Sequence, residues 1–228
     1  MSKTVLFLHG LESGPQGRKA RYLSQAGFTV VSHQMPCGRH HLARDPVAIL
    51  AASSAATLLV GSTFRKGLLG FTIAACGLAG AAPFAMSRVM RSVLRRSIAV
   101  QTHALATHPI DVVVGSSFGG AVALDLLFCG AWSGSTVLLC PAHERVAQRA
   151  WLPVPPSLAS LPESVQSRIV VVHGRGDETV PVTHSEKLVA QSRAKLVLVE
   201  DDHRLSATAT PEGLASWIAM TTAAATSS

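Results

Sequence analysis

Short runs of Val, Leu and Ile recur along the chain with helical patterns between them. They lie at Thr4 to Leu8, Phe28 to Ser32, Asp111 to Val114, Ser135 to Cys140, Ile169 to His173 and Lys195 to Val199. Strands spaced by helices predict βαβ units and a parallel sheet. The runs are nearly continuous in apolar residues instead of alternating, which predicts strands covered by helices on both faces. Helical patterns fall on Gly17 to Ala26, Phe118 to Cys129, His184 to Ser192 and Pro211 to Met220. The first two end at Gly27 and Gly130, where a residue without a Cβ can reverse the chain cheaply. The expectation is one α/β domain over residues 1–228, with a mostly parallel six-stranded sheet flanked by helices.

One interval breaks the rhythm. The stretch between the second and third runs is far longer than a helix and two short loops require, and residues 46–90 read as an inserted apolar helical hairpin. Its arms are Val47 to Val60 and Gly67 to Met86, separated by "FRK" and followed by "SRVMRSVLRRS". The first arm is too short for a bilayer about 30 Å thick at about 1.5 Å per residue, and the second carries Pro83 and several glycines. Small residues at Ala51 to Ala56 and at Gly70, Gly77 and Gly80 would let two helices pack closely. The insertion leaves the sheet beside the edge formed by the strands' C-terminal ends, so it reads as lid-like, membrane-contacting or dimerising.

Composition sharpens that picture. The chain has 228 residues, 48% of them hydrophobic, and a formal net charge of +7; its mean hydropathy of +0.33 is high. Between Asp45 and Asp111 there is no acid but six basic residues, Arg65, Lys66, Arg88, Arg91, Arg95 and Arg96. Arg88, Arg91 and Arg95 share one helical face with Val89, Val93 and Ile98 offset from it, as in an interfacial amphipathic helix. Residues 46–96 therefore point to an anionic membrane surface or to a second copy of the chain. Cys37, Cys76, Cys129 and Cys140 share no metal-ligand spacing and read as reduced residues of a cytoplasmic protein. The opening "MSKTVLFLHG" lacks a small-residue cleavage site and reads as a strand, not a secretory signal.

The candidate chemistry sits where the third run meets a helix. In "VVVGSSFGGAVALDLL" the segment Gly115-Ser116-Ser117-Phe118-Gly119 fits G-x-S-x-G, a tight strand-to-helix turn that lifts the central hydroxyl above the sheet edge. Either serine could be small-residue filler, but the spacing singles out Ser117. After the fifth run comes "HGRGDETVP" with Asp177, and Glu178 as the substitute acid. After the sixth comes "VEDDHRL" with His203. In a parallel sheet all three positions lie on one edge, so a nucleophile, an acid and a base can converge there. "GSSFGG" lacks the Lys-Ser/Thr of a phosphate-binding loop, and no nucleic-acid partner, metal or cofactor is expected.

The order Ser, Asp, His at successive strand ends resembles that of the α/β-hydrolase superfamily, and the chain looks like a small bacterial serine esterase lacking the superfamily's first strands. The resemblance covers residues 1–45 and about 91–220, including "LFLHGLESGPQGRKARYL" after the first run. It implies an α/β-hydrolase fold with Ser117 as nucleophile, Asp177 as acid and His203 as base. It also implies an oxyanion hole made by the backbone N–H groups of Leu11 and Phe118, with His9 as a structural brace. The activity implied is hydrolysis of carboxylic esters. Thioesterase or lysophospholipase activity, or a binding or oligomerisation protein on the same fold, are the alternatives.

Overall fold

The computed structural model describes residues 2–11, 13–37 and 67–222, and for residues 67–82 the backbone alone. In chain order the elements are β1 (Thr4–Leu8), α1 (Arg18–Gln25), β2 (Thr29–Val31), α2 (Gly67–Thr107), β3 (Val112–Ser116), α3 (Phe118–Phe128), β4 (Ser135–Leu139) and α4 (His143–Ala150). A 3₁₀ turn (Leu158–Ser160), α5 (Glu163–Gln166), β5 (Ile169–Gly174), α6 (Val182–Val189), β6 (Lys195–Val199) and α7 (Pro211–Met220) complete the chain. The six strands form one sheet in the order β2-β1-β3-β4-β5-β6, and every pairing is parallel. All strand C-termini therefore share one edge.

The near-continuous apolar runs are explained by two cores. Leu6, Leu8, Val113, Leu138, Ile169 and Val171 face one side, where α2, α3, α4 and α6 pack. Val5, Phe7, Val112, Val114, Val137, Leu139, Val170 and Val172 face the other, covered by α1 and α7. Each strand alternates sides, and both sides are apolar. The shared edges are set by β2 and β6, the only strands among the six with no fully buried residue.

The expected hairpin over 46–90 meets the structure only in part. Its first arm, residues 47–60, and the "FRK" connection lie outside the described residues. The second arm does not end near Met86: α2 is a single helix of 41 residues that includes Pro83. Proline removes one backbone hydrogen bond from a helix interior, but the segment beyond it is held by burial of Val89, Met90, Val93, Leu94 and Ala104. The apolar side of the segment around Arg88 to Ile98 thus packs into the first of these cores with α3 and α4 instead of standing free. Arg91 donates to the carbonyls of Ala150 and Trp151, capping the end of α4. Phe84 and Met86 are exposed, and the Phe84 ring meets exposed Trp151 with centroids 6.0 Å apart. Among the described residues no helix is long and apolar enough to cross a membrane.

α4 was not anticipated. Its "HERVAQRA" is one short amphipathic stretch, mean-polar in composition, that buries His143, Val146, Ala147 and Ala150.

Candidate active site

Ser117 stands between β3 and α3 with φ 54° and ψ −112°, backbone that a side-chain-bearing residue seldom adopts. The glycines around it are required by contact. A Cβ on Gly115 would lie 2.6 Å from the Gly119 carbonyl oxygen, and one on Gly119 would lie 2.0 Å from that of Leu8. Close approach of the turn to β1 lifts the Ser117 side chain over the sheet edge, while Ser116 is buried as the last residue of β3. The Ser117 N–H donates to the Leu139 carbonyl, tying the turn to the end of β4.

Asp177 and His203 reach the same point from the ends of β5 and β6. A Cβ on Gly174 would meet the carbonyl oxygens of Asp201 and Asp202 at 2.4 and 2.6 Å, so the two loops are pressed together. The Ser117 hydroxyl lies 2.9 Å from His203 Nε2, and His203 Nδ1 lies 2.7 Å from Asp177 Oδ2. With Nδ1–H donating to the carboxylate, Nε2 is left with a lone pair for the serine proton. Asp177 Oδ1 accepts the N–H groups of Thr179 and Val180, both at 2.8 Å. Burial works against its charge, but hydrogen bonds from His173, His203 and the Val180 amide outweigh it and hold the carboxyl well below the usual carboxylate range. Glu178, the substitute acid, is exposed; Asp177 is the carboxylate that meets His203.

The loop carrying His203 is braced separately. Asp201 Oδ1 accepts the N–H groups of Asp202 and Ser206, and Oδ2 those of Ala207 and Thr208 as well as the Thr208 hydroxyl. From α1, Lys19 Nζ donates to the Arg204 carbonyl at 2.8 Å and Arg18 donates to the Ser206 hydroxyl.

The loop after β1 also closes on Ser117. A Cβ on Gly10 would sit 3.4 Å from Ser117 Cβ and 4.0 Å from its Oγ, which brings neighbouring Leu11 to the same side. Among the described residues neither the Leu11 nor the Phe118 N–H is taken up by a turn or loop hydrogen bond. His9 is fully buried; its Nδ1 donates to the Gly10 carbonyl and its Nε2 accepts from the Met35 amide. Burial lowers its basicity more than the Gly10 carbonyl restores it. It braces the loop and has no free nitrogen for proton transfer.

Cys140, His173 and Asp177 place their donor atoms within 4.8 Å of one another, close enough to hold a cation. The chemistry of the trio argues for a hydrogen-bond network instead. Burial pushes the Cys140 thiol up to about 12, so it keeps its proton. His173 points its Nε2 at two oxygens, Asp177 Oδ2 and the Val180 carbonyl, and so carries its proton there. A metal would have to strip both protons and break the carboxylate's contact with His203.

No protein-family model matches the chain, and neither does any curated protein. Solved structures do. A protein from Xanthomonas campestris pv. campestris, described as a hydrolase of the α/β superfamily, is similar with a TM-score of 0.54 at 21% identity, over 96% of each chain. The chain has the α/β-hydrolase fold. Est1E from Butyrivibrio proteoclasticus, seen with ferulic acid bound, is similar at a TM-score of 0.51 and 15% identity, over 95% of this chain and 90% of that one. A serine hydrolase involved in carbazole degradation gives 0.53 at 12% identity, over 96% and 92%.

Within the α/β-hydrolase fold of this chain, the side chains of Ser117, His203 and Asp177 come within hydrogen-bond distance of one another in that order, and Phe118 follows Ser117 as the first residue of α3. Sequence reasoning passed over Asp201 and His173. The first had a legible signal, since an Asp two residues ahead of the base and followed by "DHRLSAT" suits an acid that gathers backbone N–H groups. The second had only its place in "HGRGD", at the end of a buried strand.

Proposed function

We propose that the protein is a serine hydrolase that cleaves carboxylic esters through an acyl-enzyme, with Ser117 as nucleophile, His203 as general base and acid, and Asp177 as the orienting carboxylate. The observation that carries this reading is the unbroken hydrogen-bond line from Ser117 Oγ through the His203 ring to Asp177 Oδ2. A hydroxyl without a base at hydrogen-bond distance is a poor nucleophile, and an imidazole without a carboxylate can present the wrong nitrogen.

In the forward step Ser117 Oγ attacks the acyl carbonyl carbon as its proton passes to His203 Nε2. The carbonyl oxygen becomes an oxyanion facing the Leu11 and Phe118 N–H groups, donors that gain strength as charge develops. The tetrahedral intermediate collapses with cleavage of the bond to the leaving alkoxide, which takes the proton from His203. Water then repeats the sequence: His203 removes its proton, the oxygen adds to the acyl carbon, and the Ser117 oxygen leaves with a proton from His203, releasing the carboxylic acid. Asp177 stays ionised throughout and stabilises the imidazolium.

Activity on p-nitrophenyl esters from acetate to palmitate, measured beside Ser117→Ala, tests the reading. The expected result is a fall in kcat on the order of 10⁴ or more in the variant, with loss of fluorophosphonate labelling. Equal activity or equal inertness of the two proteins across the series overturns it. Thioesters pass through the same intermediates, and a palmitoyl thioester run beside the oxygen esters separates the two leaving groups.

A further inference from the structure

Asp177 is touched by a second imidazole that the hydrolytic steps do not use. His173, the fifth residue of β5, is fully buried, and its Nε2 lies 3.1 Å from Asp177 Oδ2 and 2.9 Å from the Val180 carbonyl oxygen. Both neighbours only accept, so Nε2 carries the proton. Its Nδ1 lies 2.7 Å from the hydroxyl of Ser185 on α6, itself fully buried. With Nε2 protonated, Nδ1 receives the Ser185 proton, which holds the ring in place.

We infer that His173, its tautomer set by the two acceptors at Nε2 and its ring held by Ser185, is a positioning residue that holds the Asp177 carboxylate in register for His203. The inference rests on the reading of Asp177 as the orienting acid. Four N–H groups then converge on this carboxylate, the Thr179 and Val180 amides on Oδ1 and the His203 and His173 rings on Oδ2. A carboxylate gripped on both oxygens cannot rotate about its Cβ–Cγ bond, so Oδ2 stays on the line to His203. An uncharged donor suits the task better than Lys or Arg. It restrains the oxygen and draws off part of its basicity without cancelling the negative charge that stabilises the imidazolium.

The other titratable groups around the pair leave this role to His173. Cys140, after β4, keeps its proton. Lys19, on α1, reaches Cys140 electrostatically but spends its ammonium on the Arg204 carbonyl. His143 on α4 and His184 on α6 are both lowered by burial, and each has its own partner: the Pro141 carbonyl for His143 and Glu144 for His184.

The test is the pH profile of kcat/KM on a p-nitrophenyl ester for the wild type and for His173→Leu, His173→Gln and Ser185→Ala. Losing one N–H leaves Oδ2 more basic, so the His203 imidazolium is better stabilised and the base is lost to protonation at a higher pH. In His173→Leu the acid limb is expected to move up by roughly half to one pH unit, with kcat/KM at neutral pH down roughly tenfold or more. His173→Gln, whose amide nitrogen can occupy the place of Nε2, is expected to return most of the limb shift. Ser185→Ala is expected to move the limb in the same direction by a smaller amount, because the ring then loses the partner that holds it against Oδ2. A purely packing role would lower melting temperature in His173→Leu without moving the limb, and that result overturns the inference. So does a His173→Gln profile displaced as far as that of His173→Leu. Should His173→Leu not fold, a Ser185→Ala profile superimposable on the wild type overturns it alone. If Ser117→Ala keeps wild-type activity, the hydrolase reading itself has failed; if Ser117→Ala is inert while the limb stays fixed in the His173 and Ser185 variants, this inference alone has failed.

Discussion

Ser117 holds a backbone conformation that glycine would adopt at little cost, and a side chain there costs about 1–3 kcal/mol. Replacing it with glycine is expected to raise the free energy of unfolding by about 1 kcal/mol in urea titration while abolishing ester hydrolysis. An unchanged or lowered midpoint would mean the turn is not strained. The residues whose chemistry faces outward from the strand ends were the legible ones: Ser117, Asp177 and His203 each follow an apolar run, and their order along the chain carries information. Leu11 and Phe118 were legible only through the family resemblance, since a backbone N–H has no signature of its own. His173 and Ser185 were not legible, because what they do depends on which ring nitrogen faces which oxygen, a property of packing between β5 and α6.

Among the elements, the contact between the loops after β5 and β6 does the most to assemble the site. Gly174→Ala would drive a methyl into the backbone of Asp201 and Asp202, and overpacking of this kind costs about 1–3 kcal/mol or more. Because the loops carry Asp177 and His203, activity is expected to fall by a larger factor than stability explains. kcat/KM measured at a temperature where the variant remains folded by circular dichroism checks this, and a variant as active as the wild type would show that the loops can part without harm. The strands were legible to within two residues, because a parallel sheet covered on both faces leaves long apolar runs in the chain. α2 was half legible. Its apolar and basic stretches looked like separate pieces, whereas burial of Val89, Met90, Val93 and Leu94 joins them in one rod.

At the scale of the molecule, buried titratable groups predict how stability follows pH. Burial lowers the basicity of His9 and His143 against the opposing pull of the Gly10 and Pro141 carbonyls. The unfolded chain therefore takes up protons near pH 6.5 that the folded one refuses, and stability is lost as pH falls through that value. Asp177 adds a loss of the same sign below about pH 4, where its unfolded form takes a proton that the native carboxylate does not. Asp125 opposes both: burial pushes its carboxyl up to about 6, so its destabilising charge is relieved as pH falls from neutrality. The melting temperature is expected to be lower at pH 5.5 than at 7.5, and Asp125→Asn is expected to make that drop steeper. A flat profile in the wild type, or a shallower one in the variant, contradicts the assignment.

The sheet order also bears on how the chain meets its own synthesis. β1 sits between β2 and β3, yet residues 32–111 must be made before β3 begins. Until then the three residues of β2 are β1's partner among the described strands, too little to hold a strand pair in water. At about 5–20 residues per second, "TVLFL" waits on the order of 5–20 s after leaving the ribosome before its principal neighbour exists. A strand with four consecutive apolar residues left unpaired that long is a natural client for a chaperone. The loop after β1, which closes on Ser117, is thus translated before Ser117, Asp177 and His203 and is among the last parts of the site to be shaped.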